Sequence, residues 1–101
     1  MAESRDPVGS ITEELELLER HVSILKTVHD NQPIGLIRLS EMTGIPKHKV
    51  RYSLKLLEKE GTIRATSEGA VVTDSMDPFM DSLKDHLDDI TSEVERIKTM
   101  L

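Results

Sequence analysis

The chain has no cysteine and no tryptophan, and one tyrosine and one phenylalanine among 101 residues. Without cysteine there is no disulfide, no cysteine-ligated zinc, no iron–sulfur cluster and no thiol nucleophile. With Tyr52 and Phe79 as the only aromatics, the core must come from Leu, Ile, Val, Met and Ala. No apolar run approaches the ~20 residues that cross a bilayer. The opening MAESRDPVGS has no apolar signal core. The expectation is a cytoplasmic chain with no membrane contact, long enough for one small domain with a modest core.

Catalytic patterns are missing too. There is no phosphate-binding glycine loop, zinc motif or Ser/His/Asp constellation. His21, His29 and His86 are scattered, without the spacing to other chelators that a metal site needs. Asp88-Asp89 and the other carboxylates read as a solubilising surface. No enzyme activity, cofactor or metal is expected.

Charge is present but unevenly placed. Residues 1–32 carry three basic and seven acidic side chains, net −4. Residues 33–73 carry seven basic and four acidic, net +3, and residues 74–101 three and eight, net −5. The total of −6 hides a positive middle between acidic flanks. Polyanion binding depends on that local field rather than on the total.

Residues 1–9, polar with Pro7 and Gly9, read as a disordered lead-in. Ser10 to about His29 reads as a long helix, with Ser10 and Glu13 at capping-box spacing. Its apolar residues form two rows. Ile11, Leu15, Leu18, Val22 and Leu25 make one; Leu17, Ile24 and Val28 make the other. Two rows are wider than one packing contact requires, so this helix either touches a second partner or is broadly buried. Ile34 to Ile37 suggests a very short strand. Thr62–Ala65 and Ala70–Thr73, separated by a glycine-containing turn, read as a hairpin. From about Ser75 to Leu101 the chain is helical again, with Ser75 or Asp77 as cap. Met76, Met80, Leu83, Leu87, Ile90, Val94, Ile97 and Leu101 recur at an unbroken 4-3 spacing, a heptad seam expected to make a dimerisation helix, the alternative being a helix that folds back along the first one. Glu93 and Lys98 flank that seam.

The densest signal is LSEMTGIPKHKVRYSLKLLEKEG, Leu39 to Gly61. Ser40 can cap a short helix carrying Met42, and Thr43-Gly44 ends it, since glycine accepts the left-handed conformation. Pro46 suits the first turn of a second helix. Val50, Leu54 and Leu57 face that helix inward, and Gly61 stops it. Its other face carries Lys47, His48, Lys49, Arg51, Tyr52, Lys55 and Lys59.

Those residues, with Glu58, Gly61 and Ile63 leading into a strand, resemble the winged helix-turn-helix superfamily. The likeness is to prokaryotic and archaeal transcription regulators of the multiple-antibiotic-resistance and arsenic-resistance repressor types, and covers about Ile34 to Thr73. Thr62 departs from the pattern, where an apolar residue is common, and the wing is short. The resemblance implies a mainly α (α+β) fold, with a winged helix domain over 10–74 and a dimerisation helix over 75–101. It implies double-stranded DNA binding, with residues 46–59 in the major groove, and the heptad seam adds the expectation of a homodimer. An α-helix fits that groove, and its N-terminal residues reach base edges. Arg51 and Tyr52 are the candidates for base contact, although Tyr52 can equally pack at the core edge. Lys47, His48 and Lys49 lie in the same first turns, and Lys55, Lys59, Arg38 and wing Arg64 suit phosphates. The alternative is a winged helix module that binds protein without reading DNA, which the acidic flanks and short wing favour.

Overall fold

A computed structural model describes residues 7–101. Its elements are helices α1 (Pro7–Asn31), α2 (Leu36–Thr43) and α3 (Lys47–Lys59), strands β1 (Ile63–Thr66) and β2 (Gly69–Val72), and helix α4 (Met76–Thr99). The expected mainly helical α+β architecture with a long C-terminal helix is what forms.

The first helix starts earlier than its sequence suggests. Pro7 is the first helical residue, a position where its missing N–H leaves no bond unmade. Pro7, Val8 and Gly9 therefore belong to α1 rather than to a disordered lead-in, and residues 1–6 lie outside the described residues. Ser10 sits inside the helix, so the expected Ser10–Glu13 capping box does not form. Towards its C-terminal end α1 buries His21, Ile24, Leu25 and Val28. Both apolar rows contribute to that buried end, while Ile11 and Leu15 near the start of the helix are exposed.

The expected strand over Ile34–Ile37 shrinks to one residue. Ile34 bridges Ala70, its N–H donating to the Ala70 carbonyl at 3.1 Å and its carbonyl accepting from Ala70 N–H at 2.8 Å. Gly35 then caps α2, which begins at Leu36. Ser40 is thus not a cap; it lies within α2, and its hydroxyl donates to the Ile45 carbonyl at 2.6 Å. Gly44 ends α2 at φ 74°, the left-handed conformation expected there, with its N–H on the Ser40 carbonyl. Pro46 is the N-cap of α3, so the helix proper begins one residue later than expected.

The hairpin pairs Ile63 with Val72, Arg64 with Val71, Ala65 with Ala70 and Thr66 with Gly69. Gly69 has φ 132°, and a Cβ there would stand 2.6 Å from the Ile34 carbonyl carbon. The third segment can lie against the hairpin only because this residue has no side chain. Thr62 explains its own departure from an apolar residue. It is buried, and both its hydroxyl and its N–H donate to the Leu57 carbonyl at 3.0 Å, closing the end of α3.

One apolar core unites these pieces. Ile24, Leu25 and Val28 meet Ile34, Leu39, Val50, Leu57 and Ile63, and Met76 joins from the first turn of α4. Phe79 and Met80 pack on its edge. Beyond them α4 leaves the body. Leu83 and Leu87 are half-buried, and every residue from Asp88 to Leu101 is exposed. The radius of gyration is 15.9 Å, against about 13 Å for a compact chain of ~100 residues.

Candidate nucleic-acid interface

Helix α3 is set by its buried side. Val50, Ser53 and Leu57 face the core, and Leu54 lies half-buried beside them. Stepping round the helix at about 100° per residue puts His48, Lys55 and Lys59 on the opposite, outward ridge. Arg51 flanks that ridge on the hairpin side, and Tyr52 and Lys49 flank it on the α1 side. All seven of the sequence-selected α3 residues, including Lys47, are exposed. Arg38 on α2 and Arg64 on β1 are exposed too. Among the described residues, no ion pair joins any of these lysines or arginines to a carboxylate. Their charge is available to an external anion.

The two sides of α3 differ. Between α3 and the hairpin lies a groove of about 250 Å³, lined by Ile34, Leu54, Ile63 and Ala70, with Arg51, Lys55 and Glu58 as its charged residues. On the α1 side a wider cleft of about 620 Å³ has Lys49 and Pro46 on one wall and Glu13, Glu14, Glu16 and Glu19 on the other. Phosphates are repelled from that acidic wall. Arg20 also lines the α1 cleft and Glu58 the hairpin groove, so the hairpin side is the less acidic of the two and a polyanion meets less repulsion there.

Tyr52 is half exposed, and its ring lies against α1. The Arg20 guanidinium carbon stands 6.0 Å from the ring centroid, within cation–π range. The His21 ring centroid is 6.1 Å away. Both descriptions of Tyr52 therefore hold in part: one face packs on α1 and the remainder faces solvent.

Beneath Tyr52 is a contact that the sequence pattern did not single out. Nδ1 of His21 and Oγ of Ser53 are 2.8 Å apart, joining α1 to α3 across buried surroundings. Burial holds the His21 imidazole below its usual value of 6.5, and the neighbouring Arg20 charge pushes the same way. The imidazole is held neutral, and this hydrogen bond helps set the rotation of α3 about its axis. The spacing did contain the signal. His21 lies three and four residues before Ile24 and Leu25, and Ser53 lies between Val50 and Leu57, so both fall on buried faces.

Of the seam residues, Met76 is buried, Met80, Leu83 and Leu87 are half-buried, and Ile90, Val94, Ile97 and Leu101 are exposed. Among the described residues, no group of three or more histidines and carboxylates stands close enough to hold a metal ion, and no helix is long and apolar enough to cross a membrane.

The fold thus defines a mainly α chain with a helix–turn–helix, a two-stranded hairpin and a projecting terminal helix. Among solved structures it is similar to the activation domain of the phage T4 transcription factor MotA. The TM-score is 0.57 at 18% identity, over 75% of this chain and 82% of that one. That likeness is one of fold. No protein-family model and no curated protein sequence matches the chain.

Proposed function

We propose that the chain is a DNA-binding transcription regulator of winged helix-turn-helix type, acting as a homodimer. The hairpin is the wing and α3 the recognition helix in the major groove. The observation that carries this reading is the α3 ridge, His48, Lys55 and Lys59 flanked by Lys49 and Arg51, exposed and, among the described residues, without carboxylate partners. It lies in the one net-positive region of an acidic chain. In this reading Arg51, exposed on the hairpin side, makes the bidentate contact with guanine. Lys55, Lys59, Arg38 and Arg64 neutralise phosphates, and the acidic wall of α1 fixes which side of α3 faces the duplex. The exposed seam of α4 supplies the dimer contact. A fold similar to a domain of a phage transcription factor supports a role in transcription.

That neighbour is described as an activation domain, which favours a second reading: the same fold working in transcription through protein contact, with the apolar groove beside Leu54 and Ile63 as docking surface. Fluorescence anisotropy against duplexes tiling the region upstream of the protein's own coding sequence separates the two. Saturable binding that weakens steeply with salt supports the first reading. Absence of binding at low salt removes it in favour of the second.

A further inference from the structure

The proposed function leaves the geometry of the dimer open, and α4 carries enough to set it. Resting on the reading of α4 as the dimer contact, we propose that two copies pair α4 in parallel and in register over Leu83–Leu101, with Glu93 of each copy bonded to Lys98 of the other.

The seam fixes a heptad frame. Leu87, Val94 and Leu101 occupy its first core position and Leu83, Ile90 and Ile97 its second. Ile90, Val94 and Ile97 are each about half exposed, at 44%, 47% and 50%, on a helix that has left the body of the protein. From Ile90 onward the stripe therefore lies exposed, while Leu83 and Leu87 before it are half-buried. In this frame the residues bordering the seam on one side are Lys84, Thr91 and Lys98. On the other side they are His86, Glu93 and Met100. Asp81, Asp85, Asp88, Asp89 and Glu95 all fall on the outer surface, where a second helix would not meet them.

Charge then chooses the direction. In a parallel pair each residue on the Glu93 side meets the partner residue five positions on. Glu93 meets the partner's Lys98, and two-fold symmetry makes the pair twice. An antiparallel pair overlapping the same stretch brings Lys84 to the partner's Lys98, and Glu93 to the partner's Glu93. Both are like-charge contacts. In the single chain Glu93 pairs with Arg96, and Lys98 with Glu95 at 3.9 Å, all exposed and one turn apart. Such surface pairs are weak and exchange readily for contacts across a seam. Val94, β-branched at the first core position, leans towards two strands, whereas Leu87 and Leu101 at the first position with Ile90 and Ile97 at the second pull towards larger assemblies. Direction also matters for function. A parallel rod leaves both α3 helices at one end, where they can address a single duplex. An antiparallel rod of 24-residue helices separates the bodies by up to ~36 Å at 1.5 Å per residue.

Because the chain has no cysteine, single substitutions report the geometry directly. Ile97→Cys is exposed in the single chain and should fold as the parent does. Light scattering on the parent, without DNA, should give twice the monomer mass at tens of micromolar. Mild oxidation of Ile97→Cys alone should link most of it into covalent dimer, because a parallel pair sets residue 97 against itself. Glu93→Lys should lower dimer affinity at least tenfold, and Glu93→Lys combined with Lys98→Glu should restore it. A parent that stays monomeric overturns both this proposal and the homodimeric reading. A dimer in which Ile97→Cys links to Leu87→Cys but not to itself overturns the direction alone. A trimer or tetramer, or a dimer that neither pairing links, overturns the α4 pairing and leaves DNA binding by α3 standing.

Discussion

Replacing Ser53 by alanine tests the joint between α1 and α3. Ser53 is fully buried, and its hydroxyl lies 2.8 Å from Nδ1 of His21, itself buried. Alanine removes the oxygen and leaves the ring nitrogen without a partner, which costs about 1–3 kcal/mol. Alanine is the better helix former by roughly 0.5 kcal/mol, so the net loss should be about 0.5–2.5 kcal/mol. Protonation probes the same joint. The His21 pKa is lowered in the fold, by burial first and by Arg20 second, so the unfolded chain takes up the proton more readily. Its contribution is complete above the unfolded value near 6.5, shrinks as pH falls below it, and is lost once pH passes the folded value. One proton changes stability by at most about 1.4 kcal/mol per pH unit in that window. Urea unfolding at pH 5.5 to 7.5, at fixed protein concentration, measures both effects. His21→Gln should flatten the acid-side slope relative to the parent. If Ser53→Ala unfolds at the parent's midpoint, or His21→Gln keeps the parent's slope, the buried joint is not a stabilising one.

Two further substitutions probe the local geometry. Gly69→Ala sets a Cβ 2.6 Å from the Ile34 backbone at a φ of 132°. It should cost more than about 2 kcal/mol, since clash and dihedral strain add, and a thermal melt within a degree of the parent's would contradict it. Thr62→Val keeps the shape but removes the hydroxyl that donates to the Leu57 carbonyl. Denaturant melts should show a loss of about 1 kcal/mol, and a stabilised variant would show that the apolar residue common in the winged helix pattern is also the better one here.

The stretch from Leu39 to Gly61 was legible because its signals are local. Gly44 adopts the left-handed turn its type allows, and Val50 and Leu57 face inward as their spacing demands. The errors fall where a local signal met a tertiary constraint. The apolar Ile34–Ile37 run read as a strand, yet only Ile34 finds a partner, at Ala70, and Gly35 releases the rest into α2. Ser10 and Ser40 have cap chemistry, but helices already running from Pro7 and Leu36 leave them no cap to make. Gly69 read as a turn residue, whereas the approach of Ile34 is what excludes a side chain there. The His21–Ser53 bond joins residues 32 positions apart. Periodicity places each on a buried face but cannot pair them.

The central claim is that the outward face of α3 binds DNA, and one titration tests it most directly. Anisotropy of a labelled upstream duplex should be measured with the parent and with Lys49, Arg51 and Lys55 all changed to alanine, across a range of salt. None of the three is buried, so the variant should fold as the parent does. The account predicts saturable binding by the parent, at least tenfold weaker binding by the variant, and a shallower salt slope, by about 0.9 for each phosphate contact removed. Equal affinity and equal slope for the two proteins, or no binding by the parent at low salt, would contradict it.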